Sequence, residues 1–158
     1  MAIRGAGLLR YRLSPGGCEV FLIHMGGPAW AKKDLAAWSI PKGVIGRQEG
    51  PLAAAIREFF EETGFRVGGG YEPLATIRQN SNKDLTVWAM EADCDPTQLK
   101  SNTFSIVWPP KSGQLGTFPE ADRGAWFDVP TAFQKIAKGQ RPVLERFALG
   151  HANPESPA

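Results

Sequence analysis

Apolar residues between positions 51 and 64 recur every three or four residues, which is the spacing of an amphipathic helix. The predicted apolar stripe consists of Leu52, Ile56, Phe59 and Thr63. Pro51 suits the first helical turn, where a backbone N–H has no partner, and Gly64 suits the left-handed residue that closes a helix. The pattern therefore predicts a central helix that begins at Pro51 and is closed by Gly64.

Short runs of strand-forming residues lie on both sides of this helix, separated by turns rich in glycine, proline and asparagine. The predicted strands are residues 6–11, 19–24, 38–40, 72–79, 85–92, 104–108 and 125–127. Residues 111–122 are interpreted as a long polar loop, and two further helices are predicted at 130–138 and 142–149. Together these elements predict an α/β or α+β domain with a mixed β-sheet. We expect one domain over residues 1–150 and a disordered tail over residues 151–158.

Composition and charge are those of an ordinary globular protein. The chain has 158 residues, of which 42% are hydrophobic and 22% are charged, and its net charge at pH 7 is +2. This charge is too small to indicate DNA or an acidic membrane as a partner. The chain shows no secretory signal and no apolar run that is long enough to span a membrane, so we expect a cytoplasmic protein.

The cysteines and histidines are not grouped as a metal site would require. Cys18 and Cys94 are far apart in the sequence and are interpreted as free thiols. His24 and His151 have no partners at ligand spacing. The first is therefore interpreted as a strand-end residue and the second as part of the tail.

Three glutamates stand at the electrostatically unfavourable end of the predicted helix. Glu58, Glu61 and Glu62 share one helical face, opposite the apolar stripe. The C-terminal end of a helix is negative, and like charges at these spacings repel, at a cost of roughly a few tenths of a kcal/mol per contact. One interpretation is a solvated acidic face. The other is a site for a hard divalent cation such as Mg²⁺, which takes oxygen ligands and is commonly shared with substrate phosphates.

A longer pattern surrounds these glutamates. Residues 43–65 read GVIGRQEGPLAAAIREFFEETGF. All nine fixed positions of the Nudix box are filled, by Gly43, Glu49, Arg57, Glu58, Phe59, Glu61, Glu62, Gly64 and Phe65. A match of this length at fixed spacing is specific, so the chain resembles the Nudix hydrolases. The resemblance implies an α/β/α sandwich with a mixed central β-sheet over nearly all of the chain except the tail.

The resemblance also implies a role for each charged residue of the box. The expected ligands of the divalent cation, Mg²⁺ with Mn²⁺ as a substitute, are the carbonyl of Gly43 and the carboxylates of Glu58, Glu61 and Glu62. Arg57 is expected to orient these carboxylates, and Glu49 to pair with Arg57. The implied reaction is attack of water on a phosphorus of a nucleoside diphosphate that is linked to another group. The general base differs between subfamilies, so Glu58 is the first candidate and a loop carboxylate the second.

Glu120 is the candidate for such a loop carboxylate. It lies in the segment FPEADRGAW, residues 118–126, and several MutT-like members carry a metal-binding or basic glutamate in the loop before a strand that contains tryptophan. The resemblance therefore adds Glu120 to the candidate catalytic and metal-binding residues. Its interpretation as an ordinary loop acid stays open.

Substrate contacts are predicted in the segments that lead into the box. Residues 38–43 read WSIPKG, a pattern typical of family branches that act on dinucleoside polyphosphates, diphosphoinositol polyphosphates and some nucleoside triphosphates. The candidates are Lys42 as a point charge for a phosphate, Lys32 and Lys33 as a phosphate-binding rim, Arg4 facing the cleft, and Trp30 as a base-stacking platform. For each of them, an ordinary solvated or packed side chain is the alternative. The loops at residues 26–37 and 101–120 are the expected determinants of specificity.

The complete box favours an enzyme. The predicted activity is metal-dependent hydrolysis of a pyrophosphate linkage in a nucleoside triphosphate or a dinucleoside polyphosphate, with a small nucleotide as the partner. One alternative is a non-catalytic Nudix module that senses a nucleotide, and another is removal of pyrophosphate from RNA 5′ ends. The sequence leaves open the substrate, the attacked phosphorus, the number of metals and the formation of a homodimer.

Overall fold

A computed structural model describes residues 2–151 and contains nine strands and three α-helices over that range. The strands are β1 (Ile3–Ser14), β2 (Gly17–Met25), β3 (Trp38–Ser39), β4 (Lys42–Val44), β5 (Glu72–Asn80), β6 (Lys83–Glu91), β7 (Thr103–Val107), β8 (Leu115–Pro119) and β9 (Ala121–Asp128). The helices are α1 (Pro51–Thr63), α2 (Val129–Lys135) and α3 (Arg141–Gly150), with 3₁₀ turns at Pro96–Gln98 and Lys138–Gln140.

Seven of the strands form one mixed sheet. Its order is β3-β2-β1-β6-β5, with β4 also paired to β1 and β9 also paired to β2. β1 runs parallel to β6 and antiparallel to β2 and β4, so the predicted mixed sheet is confirmed. β7 and β8 pair only with each other and form a separate two-stranded sheet.

Alternating side chains of β1 build a core on each face of the sheet. Leu8 is fully buried on the face that is covered by α1, where it packs with Phe59. Leu9 and Tyr11 lie on the opposite face, where they pack against Phe147 of α3 and its neighbours in α2. Successive side chains of a strand point to opposite faces, so one strand serves both cores. The result is the predicted α/β/α sandwich.

Helix α1 begins and ends where the sequence predicts. Pro51 is its first residue, and Gly64 follows its last turn with φ 76° and donates its N–H to the carbonyl of Phe60 at 2.7 Å. A left-handed residue at this position favours glycine, which has no Cβ to clash with the preceding carbonyl. The apolar stripe places Phe59 and Thr63 in the core. The opposite face is thus free to present the glutamates.

The structure corrects three of the predicted elements and adds one strand that was not predicted. Residues 111–122 are not one loop, because they contain β8 and the start of β9, which begins at Ala121 rather than at residue 125. The helix predicted to extend through residue 138 ends at Lys135. The three-residue strand β4 was not predicted. β4 and β8 are short and rich in glycine or polar residues, and they are strands only because β1 and β7 pair with them.

His24 lies one residue before the end of β2, as its interpretation as a strand-end residue predicts, whereas the interpretation of His151 as part of the tail is wrong. His24 is completely buried, and both of its ring nitrogens have hydrogen-bonding partners. His151 belongs to the packed end of α3, since its ring stacks on Phe147 at 4.3 Å between centroids. The rest of the predicted tail, residues 152–158, lies outside the described residues. Cys18 and Cys94 are free, as predicted. None of the helices in the described range has the length and apolar composition that crossing a bilayer requires.

A buried glutamine forms hydrogen bonds with residues 39 and 40, just before the Nudix box at residues 43–65. Gln140, 1% exposed, accepts a hydrogen bond from the Ile40 N–H at 2.9 Å and donates one to the Ser39 hydroxyl at 2.9 Å. It reaches this position from the 3₁₀ turn between α2 and α3. The C-terminal helices are therefore connected to the segment that ends at Lys42.

Gln140→Ala is expected to lower the free energy of unfolding by about 1–3 kcal/mol, because it leaves the buried Ile40 N–H without an acceptor. Urea unfolding followed by circular dichroism measures the change. Gln134→Ala is the matched control, since Gln134 is exposed on α2. Equal effects of the two substitutions would contradict a role for the buried hydrogen bonds.

Candidate active site

Arg57 lies at the centre of the acidic cluster. Its Nε and Nη2 donate to the two carboxylate oxygens of Glu49 at 2.8 and 2.9 Å. Its Nη1 donates to Glu58 at 2.8 Å and to Glu61 at 3.1 Å, and its Nη2 also donates to the Val44 carbonyl at 3.1 Å. The guanidinium therefore joins the loop before α1 to two carboxylates on the helix face.

Glu49 and Arg57 form a two-pronged ion pair, a geometry that only a planar guanidinium can make with a carboxylate. The Arg57 hydrogen bonds, aided by the Gly46 N–H, lower the pKa of Glu49 to about 2. The same carboxylate raises the pKa of Arg57 above its ordinary value. Both groups are therefore charged at neutral pH, and the pair acts as a fixed support.

Gly43 makes room for the Glu58 carboxyl group. A Cβ added at Gly43 would overlap the Glu58 carboxyl carbon and both of its oxygens. Gly43 is held in β4 by antiparallel pairing with Ala6 of β1. Sheet pairing on one side and the Arg57 hydrogen bond on the other thus fix the place of Glu58, whose side chain is only 14% exposed.

Glu62 points into the protein at the end of the same helix. One of its carboxylate oxygens accepts a hydrogen bond from the Lys42 N–H at 2.9 Å. Burial raises the pKa of Glu62 to about 8, against the lowering effect of Lys42 and with the charges of Glu58 and Glu120 raising it further. The carboxylate is therefore held in a place where its negative charge is poorly compensated by the protein.

Glu120 faces this cluster from the other side of the cleft. Burial raises its pKa, and the charges of Glu58 and Glu61 raise it further while Lys42 lowers it. Glu120 stands immediately before β9 and accepts the Gly26 N–H at its carbonyl at 2.9 Å. The structure thus brings a carboxylate from a distant part of the sequence to the acidic face of α1.

The acidic face is not arranged as a ready metal centre. Within residues 2–151 no group of three or more Asp, Glu, His or Cys side chains meets that geometry. Glu58 and Glu61 direct oxygens at Arg57, and Glu62 directs one at a backbone N–H. Together with Glu120, these three glutamates fit a hard divalent cation, since all four side chains offer carboxylate oxygens and their charges repel one another.

A cleft of about 250 Å³ opens beside the cluster. Its lining residues are Ile23, Met25, Gly26, Trp30, Ser39, Lys42, Glu62, Phe104 and Glu120. One part of the wall is charged and the other is apolar and aromatic. The arrangement suits a ligand with a polyphosphate at one end and a flat ring at the other.

A comparison of the chain with known protein families decides its classification. Residues 4–147 match the NUDIX domain. The chain belongs to the Nudix family. The resemblance carried by residues 43–65 is thereby confirmed, and with it the prediction of a Nudix hydrolase at the level of the family.

Solved Nudix structures share this fold. The Ap4A hydrolase of C. elegans in a binary complex superposes with a TM-score of 0.60 at 22% identity, over 94% of this chain and 97% of that one. The MutT protein from Methanosarcina mazei Go1 gives 0.62 at 16% identity, over 94% of each chain. The NUDIX domain of Shewanella oneidensis NrtR complexed with ADP ribose gives 0.66 at 12% identity, over 95% of this chain and 88% of that one. At these identities the likeness establishes the fold alone.

A bacterial relative is similar over part of its length. The octanoyltransferase of Myxococcus xanthus is 32% identical over 111 residues, which is 69% of this chain. The chain spans about 28% of the length of that protein.

Some of the predicted substrate residues line the cleft and others do not. Lys42 and Trp30 line the cleft, and Lys33 holds its ammonium 5.1 Å from the Trp30 ring. Arg4 and Lys32 are exposed and are not among the residues that line this cleft. Arg4 instead uses its carbonyl to accept the N–H of Ile45, beside β4.

Phe104 is an aromatic residue of the cleft that was not among the predicted substrate residues. It lies in β7 and packs under Gly27, where an added Cβ would meet its ring at 2.7 Å. The loop that contains it, residues 101–120, was predicted to determine specificity, but no local pattern distinguishes Phe104 from a core aromatic. Only the pairing of β7 with β8 shows which way its ring faces.

Proposed function

We propose that this Nudix domain is a metal-dependent hydrolase that cleaves a pyrophosphate linkage in a nucleoside triphosphate or a dinucleoside polyphosphate. The observation that carries this proposal is the single cleft that joins Glu62, Glu120 and Lys42 to the aromatic side chains of Trp30 and Phe104. The charged part matches a polyphosphate with its cations. The aromatic part matches a nucleobase, which stacks on aromatic rings without regard to its hydrogen-bonding edge.

The divalent cation, Mg²⁺ or Mn²⁺, would be held by the carboxylates on the acidic face of α1 and by Glu120. When bound, it supplies a lowered pKa for the attacking water and neutralises charge on the phosphoryl oxygens. The proposed ligands are Gly43 through its carbonyl, and Glu58, Glu61, Glu62 and Glu120.

Arg57 and Lys42 have separate roles in this proposal. Arg57, fixed by Glu49, sets the orientation of Glu58 and Glu61. Lys42 uses its backbone N–H to hold Glu62, while its side chain lines the cleft, where an ammonium can meet a phosphate as a point charge.

Glu120 is favoured over Glu58 as the general base. Glu58 packs against Gly43, and one of its carboxylate oxygens accepts a hydrogen bond from Arg57, so its orientation is fixed by the protein. Glu120 lines the open cleft, where a phosphate of the proposed substrate and the attacking water would lie. This reverses the order that the resemblance gave to the two candidates.

A substrate screen tests the proposed function. Nucleoside triphosphates, dinucleoside polyphosphates, nucleotide sugars, diphosphoinositols and a 5′-triphosphate RNA are incubated with Mg²⁺ in ¹⁸O water. The expected result is release of labelled nucleotide or pyrophosphate from one nucleotide class, and the label identifies the attacked phosphorus. Tight calorimetric binding of a nucleotide without turnover in Mg²⁺ or Mn²⁺ would instead support a nucleotide-sensing module.

The aromatic wall makes a separate prediction. Trp30→Ala and Phe104→Ala are each expected to raise KM by about tenfold with little change in kcat, because the loss of one base-stacking contact costs roughly 1–3 kcal/mol. Steady-state kinetics on the substrate found in the screen measure this. Trp108→Ala is the control, since Trp108 is 39% exposed just beyond the end of β7 and does not line the cleft. A tenfold rise for Trp108→Ala as well would show that the effect is not local to the aromatic wall.

A further inference from the structure

His24 is a fully buried histidine that the proposed reaction does not use. It lies near the end of β2, one residue before Met25 of the cleft wall. Its Nδ1 is 2.9 and 3.0 Å from the two carboxylate oxygens of Asp122, and its Nε2 is 2.6 Å from the carbonyl oxygen of Lys33. The ring thus connects a strand of the main sheet with the loop of residues 26–37, here called the Trp30 loop.

The partners of His24 fix the direction of its Nε2 proton. The carbonyl of Lys33 has no hydrogen, so Nε2 must carry a proton and donate it. Nδ1 faces the Asp122 carboxyl group at hydrogen-bonding distance, so both ring nitrogens have a partner that holds the ring in place. In every protonation state that satisfies these contacts, the Nε2–H therefore points at the Trp30 loop.

A β-bulge brings Asp122 to this position. In the pairing of β2 with β9, His24 is opposite Arg123 and Met25 is opposite Ala121, so Asp122 is the extra residue on β9. A bulge re-aims a side chain that regular alternation would direct elsewhere. Asp122 lies two residues after Glu120, whose carbonyl accepts the Gly26 N–H. The bulge therefore joins the start of the Trp30 loop to the segment that carries Glu120.

The Trp30 loop presents its aromatic ring to the cleft through a short chain of contacts. The Lys33 N–H donates to the Trp30 carbonyl at 2.9 Å, and the Trp30 N–H donates to the Gly27 carbonyl at 3.2 Å. The Lys33 ammonium sits over the Trp30 ring. A shift of the Lys33 carbonyl would consequently move Trp30, which is in the cleft wall, together with the ammonium beside it.

We propose that His24 is a positioning residue for substrate binding: held by Asp122, it ties the Lys33 carbonyl to the main sheet and so holds Trp30 against the nucleotide. This inference rests on the proposed function, because it assigns the Trp30 loop to the substrate. In this scheme His24 touches neither the substrate nor the glutamates that are proposed to hold the cation. Its removal is therefore expected to affect affinity and to spare the chemical step.

Two substitutions of His24 separate this role from core packing. The amide nitrogen of glutamine is placed like Nε2, and that of asparagine like Nδ1, so His24→Gln keeps a donor for the Lys33 carbonyl whereas His24→Asn keeps only the contact with Asp122. We expect His24→Asn to raise KM by about tenfold with kcat within about twofold, and His24→Gln to stay within about threefold of the natural protein in KM. Equal rises in KM for the two variants, or an unchanged KM for His24→Asn, would overturn the proposal.

Amide hydrogen exchange gives a readout that does not need turnover. In His24→Asn, exchange at Trp30 and Lys33 is expected to speed up while exchange in β1 stays unchanged. In His24→Gln, which keeps the contact with Lys33 and loses the one with Asp122, exchange of the loop amides is expected to speed up much less. If the natural protein hydrolyses nothing, the proposed function fails, but the exchange comparison still decides whether His24 holds the loop. If turnover is found and the loop amides exchange alike in all three proteins, the tether fails and the proposed function stands.

Asp122→Ala provides a second route if His24→Asn does not fold. It keeps the imidazole and its contact with the Lys33 carbonyl and removes the carboxylate that orients the ring. We therefore expect the loop amides to exchange faster than in the natural protein and KM to rise by about as little as in His24→Gln. Unchanged exchange in a folded Asp122→Ala protein would contradict the positioning role.

Discussion

Glu62→Gln is expected to reduce turnover by roughly a thousandfold or more, because the amide keeps the shape of the side chain and removes its charge. Glutamine can still accept the Lys42 N–H through its amide oxygen, so the backbone around Lys42 and Gly43 is preserved. What is lost is the negative oxygen that a divalent cation needs. Steady-state hydrolysis with saturating Mg²⁺ measures the loss.

The same substitution is expected to stabilise the protein in the presence of EDTA. Burial raises the pKa of Glu62 from its ordinary value of 4.5 to about 8, so the native protein loses stability as the pH rises from about 4.5 to about 8, and a glutamine, which does not ionise, avoids this loss. The stabilisation is therefore expected at pH 8 and is expected to be absent below pH 4.5. Thermal melts in EDTA test this, with Glu145→Gln as the control because Glu145 is exposed on α3. Full activity of Glu62→Gln would contradict the proposed metal site. Glu145→Gln is expected to keep full activity, which shows that loss of an exposed glutamate elsewhere does not affect turnover.

Gly43→Ala is expected to reduce turnover by about a hundredfold while leaving the protein folded. The new methyl group would occupy the space of the Glu58 carboxyl, which must then turn away from the acidic face. The loss belongs to kcat, because a displaced carboxylate misplaces the reacting groups rather than the nucleotide base.

Gly50→Ala is the matched control for Gly43→Ala. Gly50 precedes α1 with φ −72°, and an added Cβ there meets nothing within 4 Å. Both substitutions add one methyl group to the same loop–helix segment, but only one of them meets a carboxylate. Similar kinetics for the two variants would show that the contact between Gly43 and Glu58 does not matter for the reaction.

The helix of the site was predictable because its information is local. The apolar spacing, Pro51 and Gly64 all lie within one short segment, and the structure confirms both ends of α1. The contact between Arg57 and Glu49 was implied by the family resemblance, and the two-pronged geometry agrees with it. The ends of α1 and the ion pair could be predicted because the residues that form them lie close together in the sequence.

Features that depend on distant pairing were not predictable. His24 looked like an isolated strand-end residue because its partner Asp122 is 98 positions away and is aimed by a bulge. The strand β8 read as a polar loop because only its pairing with β7 makes it a strand. The direction of Phe104 depends on the same pairing. Sequence patterns report periodicity within a segment and carry no information about which segment will lie opposite.

The hairpin of β7 and β8 stands outside the main sheet and is fastened at its two ends. The Asn102 N–H donates to the Glu61 carbonyl at 2.7 Å where the hairpin begins, and the Glu120 N–H donates to the Asn102 carbonyl at 2.8 Å where it ends. The hairpin that supplies one wall of the cleft is thus held by hydrogen bonds at both of its ends, and both ends lie beside the glutamates. Hairpins of other lengths could replace residues 103–119 without changing the main sheet or α1, and such replacements would alter the wall of the cleft and leave the glutamates of α1 in place.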